Sequence, residues 1–130
     1  MVTRNPAGYD ADPVSPDSDE TWLKHFQETR GVIPPPLKLM ALRPGTVSAF
    51  MAYRGQVLKG GPLGEKEKAL LGVAVSVALK SSACIRNHAS AARKAGANED
   101  EIAQAALIAG LICGASPLRT AFNGIGDSTD

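Results

Sequence analysis

Cys84 and His88 stand four residues apart in the run SSACIRNHASAARKAG, residues 81–96. On a helix that spacing puts both side chains on one face, one turn from each other. A thiol beside an imidazole is a reactive pair, because the ring takes the thiol proton or holds the thiolate as an ion pair. If Ser81 or Ser82 caps the helix, Cys84 falls in its first turn. Unpaired N–H groups and the helix dipole favour an anion there. Lys80 and Arg86 add positive charge nearby. A thiolate so placed attacks a peroxide oxygen, a disulfide sulfur or a reactive carbonyl. The same two residues also fit a small buried hydrophobe and a hydrogen-bonded helix histidine. The spacing leaves both readings open.

The pair needs elements to hold it. Residues 65–79 begin with Glu65 and Glu67 and continue as Leu70, Leu71, Val73, Ala74, Val75, Val77, Ala78 and Leu79. Acids in the first turn suit the positive end of a helix. An apolar surface all round predicts a central helix, buried by the domain or by another subunit. Residues 80–82 form the corner, and the next helix runs from about 83 to 94, ended by Gly96 in a left-handed position. Asn98 and Glu101 then match a capping box. The sixth helix is expected to reach about Cys113, with Gly110 and Gly114 allowing close helix approach. Ser116 and Pro117 are expected to open a short seventh helix, since proline suits the first helical position.

Upstream, a helix from about 18 to 30 carries Trp22, Phe26 and Leu23 as its buried stripe. His25 lies beside that stripe as a surface or partly buried side chain. Gly31 to Pro36 reads as a rigid connector. A short helix over 37–42 is expected to turn Leu39, Met40 and Leu42 inward. A third helix over 46–58 places Val47, Phe50, Met51, Val57 and Leu58 near one side. The turn at Lys59, Gly60, Gly61 and Pro62 separates it from the central helix. The fold class is therefore all-α, with six or seven helices. The expected organisation is a flexible arm over 1–17, an all-helical domain over 18–123 and a flexible tail over 124–130.

Composition narrows the function classes. A formal net charge of +1 gives no electrostatic case for nucleic acid or an anionic membrane. The first residues are polar and hold three prolines, unlike a secretory signal. The apolar runs over 70–79 and 105–113 read as too short to span a bilayer. These features lead us to expect a cytoplasmic protein, where thiols stay reduced. Two cysteines, Cys84 and Cys113, are too few for a disulfide framework, and no spacing typical of metal ligands occurs. No cofactor or metal is expected. Cys113 reads as a small packed residue where helices meet.

The run AVSVALKSSACIRNHASAARKAGANEDEIAQAA, residues 74–106, resembles the carboxymuconolactone decarboxylase and alkylhydroperoxidase D-like family. Ala74, Val75 and Ser76, the spacing from Cys84 to His88, the Ala95, Gly96, Ala97 run, and Glu101 with Ile102 all fall in register, and the likeness covers about residues 63–120. It implies a compact all-α domain assembled as a homo-oligomer, commonly a trimer or hexamer. In the redox branch a cysteine pair, a histidine and an upstream glutamate perform the chemistry. Carried over by position, Cys84 is the peroxide-facing cysteine and His88 the relay histidine. The partner cysteine falls on Ser81 and the glutamate on Ala69. Ser81 cannot close a disulfide, so a sulfenic acid on Cys84 would need an outside thiol or Cys113 as its reductant. Ser81 would serve instead as a hydrogen-bond donor. Glu65, one turn before Ala69 on nearly the same face, is the candidate replacement acid. The resemblance thus implies a thiol peroxidase with a single motif cysteine, acting on a hydroperoxide and reduced by an outside thiol. Two alternatives are a lactone-acid decarboxylase, with His88 moving a proton, and an oligomer that keeps the fold without the chemistry.

Overall fold

A computed structural model describes residues 18–126; the arm expected over 1–17 lies outside them. Among the described residues there are six α-helices and no strand. They fall into two compact units, one ending at Gly61 and one beginning at Pro62.

The first unit holds α1 (Asp19–Arg30), α2 (Pro35–Met40) and α3 (Thr46–Leu58). Ser18 caps α1, its hydroxyl accepting the Thr21 N–H, and Gly31 ends it. Phe26, Leu37, Val47 and Met51 form the core, with Trp22, Leu23, Ile33, Met40 and Ala41 packed against it. The expected stripe of α1 is therefore present. Asp19, read from sequence as a first-turn acid of its own helix, also ties α1 to α3. Its carboxylate accepts the backbone N–H of Gly45 at 2.7 Å, that of Ser48 at 2.9 Å, and the Ser48 hydroxyl at 2.8 Å. The donors at the start of α3, which lacks a side-chain cap of its own, are thus met from another helix.

Two expectations fail here. Leu39 and Leu42 are exposed rather than turned inward, and Leu37 takes the buried place. The helix begins two residues early because Pro35 and Pro36 fit its first turn. In so short a helix one face meets α3, and Leu37, Met40 and Ala41 occupy it at the spacing i, i+3, i+4. On α3 the inner row is Val47, Met51 and Gly55. Val57 lies off that row and is exposed.

The second unit holds α4 (Glu65–Ala78), α5 (Ser82–Lys94) and α6 (Glu99–Gly126), with α4 packed against both others. Its buried side chains are small: Ala69, Val73 and Ser76 on α4, Ala89, Ala91 and Ala92 on α5, then Ala97 and Ala109. Small residues let helix backbones approach closely. They also leave the longer apolar side chains outside, and Leu71, Val75 and Leu79 of α4 are exposed. The central helix is thus buried on the sides that meet α5 and α6 and open on another.

The corner after α4 is a Schellman turn. Lys80 N–H donates to Val77 C=O and Ser81 N–H to Ser76 C=O. The residue in the left-handed position is Lys80, at φ 57°, where glycine is usual and a side chain costs about 1–2 kcal/mol. After α5 the same turn recurs with Gly96 at φ 94°, and Ala97 N–H donates to Ala92 C=O. The capping box is present as read: Glu101 N–H donates to Asn98 Oδ1 at 2.8 Å and Asn98 N–H to Glu101 Oε2 at 3.1 Å. Lys66 adds an ion pair from α4 to the same Glu101 carboxylate at 3.1 Å.

The expected break before Pro117 does not occur. The sixth and seventh helices are one continuous α6, which also takes in residues 124–126 of the expected tail. Proline removes the amide that would donate to Cys113 C=O. This stretch of α6 is exposed, so water meets that carbonyl. Cys113 is exposed rather than packed. With the expected sixth and seventh helices joined, α6 has a mean hydropathy of 1.5 over its best 18 residues. By length and composition it suffices to cross a membrane, which corrects the reading that every apolar run is too short.

Candidate functional site

The site is built at the α4–α5 corner. Helix α5 runs back along α4, and one contact sets their register: the His88 imidazole lies against Gly72. A Cβ placed on Gly72 would collide with the ring's Nδ1, so no larger residue fits while the ring stays there. Ser76 is buried and donates its hydroxyl to Gly72 C=O at 2.6 Å, bracing the backbone that seats the ring.

Cys84 is in the first turn of α5, free and exposed. Ser81 is the N-cap residue, but its side chain makes no capping hydrogen bond. The N–H groups of Ser82, Ala83 and Cys84 precede the first helical bond, from Ile85 N–H to Ser81 C=O at 2.9 Å. They are left for solvent or for an anion held at this end of the helix. His88 is half-buried, one turn beyond Cys84. Ser81 and Cys84 thus share the N-terminal end of α5, and His88 follows at the middle of the same helix.

Glu65 is placed differently. It opens α4, seven residues before Gly72, a rise of about 10 Å along the helix. Its carboxylate accepts a charged hydrogen bond from Lys68 Nζ at 3.2 Å. The Lys68 side chain is only 8% exposed, an unusual position for an ammonium group. Ala69, where the resemblance puts a glutamate, is fully buried. A methyl fills that space against the alanines of α5.

Two residues escaped the sequence reading. Gly72 has a signal, because a glycine inside a helical pattern often marks a close packing contact. Lys68 has a weaker one, its spacing of three from Glu65. Among the described residues no group of three or more His, Cys, Asp or Glu gathers to hold a metal ion.

The model of the carboxymuconolactone decarboxylase family matches residues 44–125, which take in α3 to α6 and the whole Cys84 corner. The chain belongs to the carboxymuconolactone decarboxylase family. Among curated proteins and among solved structures, none matches it. The family includes both alkylhydroperoxidase D-like and decarboxylase members.

Proposed function

We propose that this family member is a thiol-dependent peroxidase with one working cysteine, reduced by an outside thiol. The observation that carries the reading is the exposed Cys84 thiol in the uncapped first turn of α5, with His88 seated one turn on. The Cys84 thiolate attacks one oxygen of a hydroperoxide. An S–O bond forms and the O–O bond breaks. The sulfur is oxidised by two electrons to a sulfenic acid, and the peroxide is reduced to an alcohol. The thiol proton passes to the leaving alkoxide by way of His88. A first outside thiol then forms a mixed disulfide and releases water. A second frees Cys84 and leaves as the disulfide. Ser81 takes no part in that exchange, and its hydroxyl donates a hydrogen bond to the thiolate or the peroxide.

The test is to treat the protein with a hydroperoxide and a sulfenic-acid trap, then locate the adduct by mass spectrometry. Labelling at Cys84 is expected, with turnover in the presence of a small thiol. Cys84→Ser should abolish both, and His88→Gln should slow turnover by about 10²-fold. An unlabelled Cys84 would sink this reading. The second reading, a retained fold without the chemistry, is favoured by Ala69, because a buried methyl stands where the redox branch has its glutamate. It predicts neither labelling nor turnover, and no turnover of a muconolactone carboxylate.

A further inference from the structure

Among the described residues one polar residue stands in the buried core, Ser76, at 3% exposure. The other buried residues of α4 are Ala69 and Val73, and the rest of the second unit's core is alanine. Alanine would fill the place of Ser76 and suit a helix better. A buried hydroxyl has to be stripped of water, and a serine that bonds back to its own helix slightly destabilises it. Packing therefore does not account for Ser76, whereas its hydrogen bonds do.

The Ser76 hydroxyl donates to the Gly72 carbonyl at 2.6 Å, the carbonyl that also takes the Ser76 amide in the helix ladder. Both lone pairs of that oxygen are then occupied. Gly72 is the residue against which the His88 ring lies, and a glycine backbone is freer than any other. The hydroxyl clamps that backbone under the ring. Ser76 also accepts the Ser81 amide through its own carbonyl, at 3.1 Å. Ser81 is the N-cap residue of α5, and its carbonyl takes the Ile85 amide at 2.9 Å. The seat of His88 and the start of the helix that carries Cys84 are thus both tied to one residue.

We infer that Ser76 is a positioning residue for the Cys84–His88 pair, acting through Gly72 on the depth of the imidazole. Its effect on turnover rests on the peroxidase reading; its effect on the ring does not. Without the hydroxyl, the Gly72 carbonyl keeps only its ladder bond, and the glycine is free to tilt under the ring. The ladder itself is intact, so the helix stays formed. The signature of such a residue is that the fold holds while the ring moves.

Ser76→Ala tests this in the full-length chain. Its helical circular dichroism should be retained, and its urea midpoint should be no lower than that of the unmodified protein. The His88 ring resonances should shift. Oxidation of Cys84 by a hydroperoxide should slow several-fold, toward the ~10²-fold that a misplaced group can cost. In a His88→Gln background Ser76→Ala should add nothing, because a residue that works through the ring has no effect without it. A lowered midpoint with unmoved ring resonances would make Ser76 a packing residue and overturn the proposal. So would an equal slowing with and without His88, the mark of general loosening. If Cys84 of the unmodified protein resists oxidation, the peroxidase reading falls, and the ring resonances alone decide the role of Ser76.

Discussion

Asp19 ties α1 to the start of α3 through one carboxylate. Three donors of α3 and its approach converge on its two oxygens, and these hydrogen bonds hold its carboxyl below the ordinary value of 3.8. A carboxylate with a lowered folded pKa contributes stability that is complete above its unfolded value. That contribution is lost as pH falls through the folded value. The first unit should therefore lose stability on acidification below 3.8. Asp19→Asn, which has no charge to lose there, should show a flatter dependence. Urea unfolding of both proteins from neutral pH downward, followed by the fluorescence of Trp22, measures the difference. Parallel curves would mean that the cap is not formed. The chemistry proposed for Cys84 belongs to the same scale, because it would depend on one exposed sulfur and the local field of one helix end.

At the scale of elements, the α4–α5 pair is decided by a notch. Gly72 is the only residue type that admits the His88 ring at its present depth. Gly72→Ala should either drive the imidazole out or spread the two helices, at a cost of about 1–3 kcal/mol. Chemical denaturation gives the loss, and the His88 ring resonances should move with it. Unchanged stability together with unchanged ring resonances would place the imidazole elsewhere. This notch was half legible in the sequence. The helix, its corner and the capping box at Asn98 followed from local rules, since capping residues and glycines act within a turn of where they stand. The depth of one ring on a neighbouring helix does not, because it depends on a register fixed by contacts sixteen residues apart. Lys68 was missed for the same reason, since its burial is set by what packs around it. The break expected at Pro117 failed for a related cause. Local preference put a helix start there, and nothing local reveals that the preceding turn continues.

At the scale of the whole molecule, the second unit has a core of alanines around Val73 and Ser76 and a surface rich in leucine and isoleucine. Burial within the unit is limited by the size of the side chains that meet. If the exposed apolar face of α6 takes part in the oligomer that the family resemblance implies, association and folding are linked, and the thermal midpoint should rise with protein concentration. Scanning calorimetry over a hundredfold range of concentration reads that slope. The Leu111→Lys/Leu118→Lys protein should show none. A midpoint independent of concentration in the unmodified chain would argue that the second unit is stable alone.

The residues themselves determined the helices, most of their ends, the family and the place of Cys84 at the start of a helix. Those features rest on short-range periodicity, caps and a spaced motif, all written within a few positions of one another. Tertiary structure alone decided that Asp19 serves another helix, that His88 sinks into Gly72, that a methyl seals the space at Ala69, and that α6 turns a second apolar face outward. Each depends on which surfaces meet across long stretches of chain. A pattern one helix turn long contains no record of its neighbours.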